Sequence, residues 1–152
     1  MPIIAALTGN RPDLVFNLTE QYRDERRLDT SIAGLLEMLD LPFTGSGSMG
    51  LMLCRDKGLC KRLLSTRTVT VPRFYVLPPG KRIITPRRPR FPLVVKPLFE
   101  DGSDGICNSS LVKTPAELEE RVRLVHTKYN QPAIAEEYIE GREFYVSVLG
   151  NH

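Results

Sequence analysis

The sequence has no tryptophan, two histidines and three cysteines in 152 residues, and each scarcity removes a class of function. Cys54, Cys60 and Cys107 are odd in number and none belongs to a C-x-x-C pair. That argues against a disulfide framework or a zinc site and for reduced thiols in a cytoplasmic setting. His126 has no Cys, Asp or Glu at ligand spacing and His152 is terminal, so the histidines suggest packing or surface roles rather than catalysis. No apolar run approaches the ~20 residues of a membrane span. The apolar opening at residues 2–7 lacks the basic flank and the length of a secretory signal. A net charge of +3 is too small to argue for nucleic acid by itself. What is present, 41% hydrophobic and 26% charged residues, is the composition of a folded soluble chain with room for one domain or two small lobes.

The first 50 residues read as part of an α/β layer. Residues 14–18 form a compact apolar run of strand length after the Arg11, Pro12, Asp13 punctuation, and the crowded charges from Glu20 to Arg27 suggest a solvated loop. Asp29 or Thr30 can cap a helix whose Ile32, Leu35, Leu36 and Leu39 recur on one face, ending near Asp40; residues 41–44 then suggest a short edge strand. Residues 45–50 match G-x-G-x-x-G in form. No acidic residue follows at the end of the next strand, so the glycines read as a tight turn into a helix over 51–65. On that helix Lys57 and Lys61 lie one turn apart, a repulsive spacing unless water or an anion separates them, and solvent is the simpler reading.

From residue 51 onward the pattern is α+β with an antiparallel sheet. Strands are expected at 69–76, 93–97, after the loop at 98–105, at 133–139 and at 144–149. Thr114, Pro115 and Glu117 make a capping box with proline at the first helical position. The helix that follows should bury Leu118, Val122, Val125 and Tyr129 and turn Glu119, Glu120, Arg121, Arg123 and Lys128 outward. Residues 78–92 alternate prolines with Lys81, Arg82, Arg87, Arg88 and Arg90 and contain no acid. This is a stiff basic surface loop, with polyanion binding as its alternative role.

The chemistry concentrates around Lys96. A β-branched run ends on this lysine, Pro97 holds it extended, and a loop containing Gly102, Ser103 and Gly105 follows. A lysine is a compact cation for phosphate and glycines let backbone amides approach an anion, which suggests a phosphate clamp; a plain hairpin with a solvated lysine fits the same residues. Downstream, Glu136, Glu137, Glu140 and Glu143 flank one turn.

Pro12 to Asn17, Gly34 to Leu39, Leu41 to Gly47, Asp56-Lys57, Val94 to Pro97 and Glu136 to Glu143 follow one another in an order and separation that resembles the ATP-grasp ligases, specifically D-alanine–D-alanine ligases and their relatives. The resemblance implies a remainder of an amino-terminal α/β (pre-ATP-grasp) domain at 1–50 followed by the first ATP-grasp subdomain at 51–152, an antiparallel sheet with helices. It implies that Lys57 and Lys96 hold ATP phosphates and that Gly102, Ser103 and Gly105 belong to a flexible flap over them. Glu136, Glu137 and Ile139 fall in a hinge that meets adenine largely through its backbone, and Glu143 on the ribose hydroxyls.

The implied reaction is phosphoryl transfer from ATP to a carboxylate, then attack of an amine on the acyl phosphate, in peptidoglycan precursor synthesis. Two departures stand out: the family's His-Gly pair and Gly-Glu-Asp-Gly run are replaced around Leu18 to Glu20 and Arg27 to Thr30, and Glu137 stands where many relatives have lysine. The first opens the amino-acid substrate, D-alanine or another, and so admits a different carboxylate–amine ligase. The chain also looks truncated at both ends. The Mg2+ ligands and the catalytic arginine are expected in a carboxy-terminal part, so the segment alone is expected to be inactive, with no catalytic residue of its own. ATP is the expected partner, a homodimer is possible for the full-length protein, and neither membrane nor nucleic acid is expected. A non-catalytic polyanion-binding module is the reading from another class.

Overall fold

The computed structural model describes residues 2–81 and 89–150. They form two compact units, Met1–Cys60 and Lys61–His152. Much of the basic proline-rich stretch, including Arg82, Arg87 and Arg88, lies outside the described residues, and the polyanion reading falls there with it.

In the first unit, α1 (Pro2–Gly9) has no buried residue. Helix α2 (Asp29–Met38) buries Ile32, Ala33 and Leu36, so the apolar repeat located the helix and its inner face; Leu35 and Leu39 are half-buried flanks. Neither Asp29 nor Thr30 is its cap. Asp29 is already helical and turns its carboxylate to Arg55 of α3 (Ser48–Arg55) at 2.5 Å, an ion pair shielded from water. The far end of α2 closes as a Schellman turn: Asp40 takes φ +51, Leu41 N–H reaches the Leu36 carbonyl and Asp40 N–H the Glu37 carbonyl, both at 3.0 Å.

Three expectations for this unit change. The two runs expected as strands meet in a single parallel bridge, Val15 with Phe43. The next amide, Asn17 N–H, goes to the Thr44 hydroxyl at 2.9 Å instead of a carbonyl, and that side chain ends the ladder. The glycine run does turn into a helix, but α3 starts at Ser48, whose N–H and hydroxyl both donate to Glu37 at 2.9 and 2.5 Å. The expected helix over 51–65 is two helices, α3 and α4 (Lys57–Thr66), and α4 belongs to the second unit from Lys61 onward. Asp56 is extended between them (ψ +93) and accepts from Leu59 N–H at 2.9 Å, capping the second.

The second unit is a four-stranded antiparallel sheet in the order β1-β4-β2-β3 (β1 Phe74–Leu77, β2 Leu93–Pro97, β3 Leu111–Val112, β4 Ala133–Glu137), with α5 (Pro115–Tyr129) against one face. Leu93 and Val95 of β2, Val112 of β3 and Ala133 and Ala135 of β4 join Leu118, Val122 and Val125 of α5 in one core. The two alanines leave room for the helix beside larger strand residues. Strand periodicity then puts Val94, Lys96, Ile134 and Glu136 on the opposite face. The capping box is present in shifted form: Thr114 Oγ1 accepts from Glu117 N–H at 3.2 Å, while the Glu117 carboxylate accepts from Lys113 N–H at 2.7 Å. His126 ties α5 to the end of β1 through the Leu77 carbonyl at 2.8 Å, a packing role.

β1 is shorter than the run expected over 69–76, because Pro72 has no N–H and pairing begins only beyond it. The strand expected directly after the glycine loop lies later, at β3, with a 3-10 turn at Asn108–Ser110 between them. Residues 144–149 form no strand among the described residues: Tyr145 is 96% exposed, and no neighbouring backbone supplies a ladder. Arg121, expected outside, is buried.

Candidate functional site

The face of the sheet opposite α5 opens on a cleft of about 820 Å³ within the second unit. Lys96, Ser103, Glu136, Glu137, Ile139 and Glu143 all line it, so six residues singled out from separate parts of the sequence meet on one surface. Antiparallel register accounts for the central pair. Val94 faces Glu136 and Lys96 faces Ile134 across β2 and β4, which makes Lys96 and Glu136 diagonal neighbours on the same face.

Lys96 Nζ donates to Glu136 Oε2 at 2.9 Å. A second cation, Lys61 of α4, stands 3.5 Å from the same oxygen. The glutamate side chain is only 7% exposed, and burial of a carboxylate is tolerable only with such compensation. Its other oxygen, Oε1, is buried without a hydrogen-bond partner. A buried anionic acceptor with no donor beside a lysine is suited to a ligand that brings N–H or O–H groups together with negative charge. These are features of a nucleotide. Among the described residues no group of three His, Cys, Asp or Glu side chains is gathered as metal ligands.

The glycine loop has a tied base and an open tip. Gln131 holds its start, accepting from Phe99 N–H at 2.7 Å and donating to Glu100 at 2.8 Å. Arg121 holds its end, donating to the Gly105 carbonyl at 2.6 Å and to Ser110 Oγ at 2.9 Å. Between them Gly102 and Ser103 are exposed, with φ +57 and +64. Gly105 cannot be replaced without cost: at φ +76 a Cβ would stand 2.6 Å from Pro97 Cγ. Gly102 and Gly105 therefore shape the loop, while Ser103 faces the cleft.

Farther along, Glu137 N–H bonds the Arg73 carbonyl at 2.8 Å and Tyr138 N–H the Pro92 carbonyl at 3.1 Å. Two amides of the expected hinge are thus engaged by the protein itself. Lys57 belongs to the first unit, half-buried in the first turn of α4.

Two residues were not read from the sequence, one in the cleft and one on α5. Cys107 lines the cleft, exposed, with its thiol pulled down to about 7, chiefly by the Ser109 hydroxyl 3.1 Å away. No spacing signal marks it. Arg121 had a signal: it lies three residues after Leu118 and four before Val125, on the buried stripe itself.

No family model matches the chain. It is 42% identical over 138 residues to an uncharacterised protein, y4sG, of Sinorhizobium fredii, covering 91% of this chain and 39% of that one. It is 37% identical over 123 residues to a D-alanine–D-alanine ligase of Halorhodospira halophila, covering 81% of this chain and 39% of the relative. Its fold matches the D-alanine–D-alanine ligase of Bacillus anthracis crystallised with ATP, with a TM-score of 0.71 at 22% identity, over 93% of this chain and 45% of that one. The chain spans about two-fifths of the length of the curated relatives it matches.

Proposed function

From the premise that this chain is a D-alanine–D-alanine ligase-like segment of the ATP-grasp kind, we propose that the cleft of the second unit binds the nucleotide of an ATP-dependent carboxylate–amine ligase. The observation that carries the proposal is the unpartnered, buried Glu136 Oε1 beside Lys96. On this reading Glu136 receives a donor from the base and Lys96 supplies a point charge to phosphate. Ser103 and the exposed loop tip close over the phosphates, and Glu143 accepts from the ribose hydroxyls. Glu137 and Ile139 flank the base. The assignment of Lys57 to phosphate rests on family resemblance alone.

The nucleotide supplies an activated phosphoryl group. The residues of the cleft bind and orient it, and each charge-assisted hydrogen bond contributes about 1.5–3 kcal/mol. D-alanine is the amino-acid substrate suggested by the relatives, with Mg2+ as the accompanying ion. The test is calorimetric titration of ATP with magnesium into the chain and into Lys96→Ala. Saturable heat that is lost in the variant is the expected result; equal heats, or none in either, reject the proposal.

A further inference from the structure

We propose that Lys61 is a positioning residue that holds Glu136 when Lys96 turns to phosphate, so that one carboxylate is handed between two lysines. The inference rests on the nucleotide reading of the cleft. Both ammonium groups address the same oxygen, at 2.9 Å from Lys96 and 3.5 Å from Lys61. The shorter contact is a formed hydrogen bond; the longer is an ion pair with room to tighten. Lys96 lines the cleft together with Ser103, so it is the lysine placed to meet an anion there. Lys61 approaches the carboxylate from α4 and is not among the residues that line the cleft.

A lysine already bound to a carboxylate can serve a phosphate only if the carboxylate is left compensated. Glu136 is 7% exposed, so water cannot replace a departing counter-ion. Lys61, itself 19% exposed, is the cation within reach. With Lys61 in place, Lys96 can swing toward phosphate while Glu136 keeps an ionic partner. Without it, engagement of phosphate by Lys96 would strand a buried anion. Lys61 therefore matters for ligands that carry phosphate and little for those that do not.

The readout is the ratio of affinities for ATP and adenosine, measured by calorimetry on the full chain and on Lys61→Gln and Lys61→Arg. Lys61→Gln should weaken ATP about tenfold or more, with adenosine within about twofold, and Lys61→Arg should restore ATP binding. A merely structural role would lower both ligands together; that result, or unchanged ATP affinity, overturns the handover and leaves the nucleotide reading standing. A wild-type chain that binds neither ligand overturns the nucleotide reading and the handover with it. Should Lys61→Gln not fold, 15N spectra of the wild-type lysine ammonium groups decide. ATP must shift the Lys96 resonance while the Lys61 signal sharpens through a tighter pair with Glu136, and a static Lys96 signal overturns the proposal.

Discussion

Arg121 Nη2 donates to the carbonyl of Gly105 at 2.6 Å, tying the second glycine of the loop to the middle of α5. The same guanidinium reaches Ser110, so one buried side chain holds both ends of the turn that leads from the loop into β3. Replacing it with alanine removes the charged donor from the Gly105 carbonyl and from Ser110 Oγ, which keeps the Cys107 N–H at 3.0 Å. Arg121→Ala should lower stability by about 2–4 kcal/mol, read from urea denaturation, with faster amide exchange concentrated at residues 105–110.

The two loop glycines should respond differently to alanine. At Gly102 nothing stands within 4 Å of a new Cβ, so only the positive φ is penalised, by about 1 kcal/mol. At Gly105 the same penalty is joined by collision with Pro97, at 2.6 and 2.8 Å, and the total should reach about 2–4 kcal/mol. Parallel urea titrations of the two variants check the order; equal losses would contradict the close approach of Gly105 to Pro97.

Cys107 should alkylate with a midpoint near pH 7, because the Ser109 hydroxyl favours the thiolate and Arg121 adds a smaller favourable charge. Ser109→Ala should move the midpoint upward. Since the thiol lines the cleft, ATP should slow its reaction with iodoacetamide, followed by peptide mass mapping. Alkylation whose rate ignores both pH between 6 and 8 and saturating ATP would count against the site as described.

Glu37 gives the first unit an acid dependence. Ser48 donates to it from hydroxyl and amide, and these bonds hold the carboxyl below its ordinary value. Its unfolded value is the higher of the two, so its stabilisation is present above that value and disappears as pH falls through the folded one. Glu37→Gln should therefore flatten the acid limb of the melting-temperature profile, leaving the two proteins alike at the lowest pH.

Asp56 separates α3 from α4 by accepting Leu59 N–H at 2.9 Å. Asp56→Ala should cost about 1 kcal/mol in helix capping, visible as a small drop in urea midpoint. Asp56→Asn, which keeps an acceptor oxygen, should lose much less.

Sequence by itself determined the elements whose signals are local. The apolar repeat at Ile32 and Leu36, the box at Thr114 to Glu117 and the β-branched run before Lys96 each depend on neighbours a few positions away, and each element formed where those signals lay. The ligase resemblance was legible for a similar reason, being carried by short motifs in fixed order. Tertiary structure decided what depends on partners far along the chain. Residues 14–18 and 144–149 have strand composition but lack a ladder, because a strand exists only where another backbone supplies its hydrogen bonds. The pairing of Lys96 with Glu136, the arrival of Lys61 at the same oxygen and the burial of Arg121 follow from the β2–β4 register and from what α4 and α5 bring to either side of the sheet. Charge in a sequence carries no sign of its eventual partner; only the fold brings two lysines to one carboxylate and buries its second oxygen without a donor.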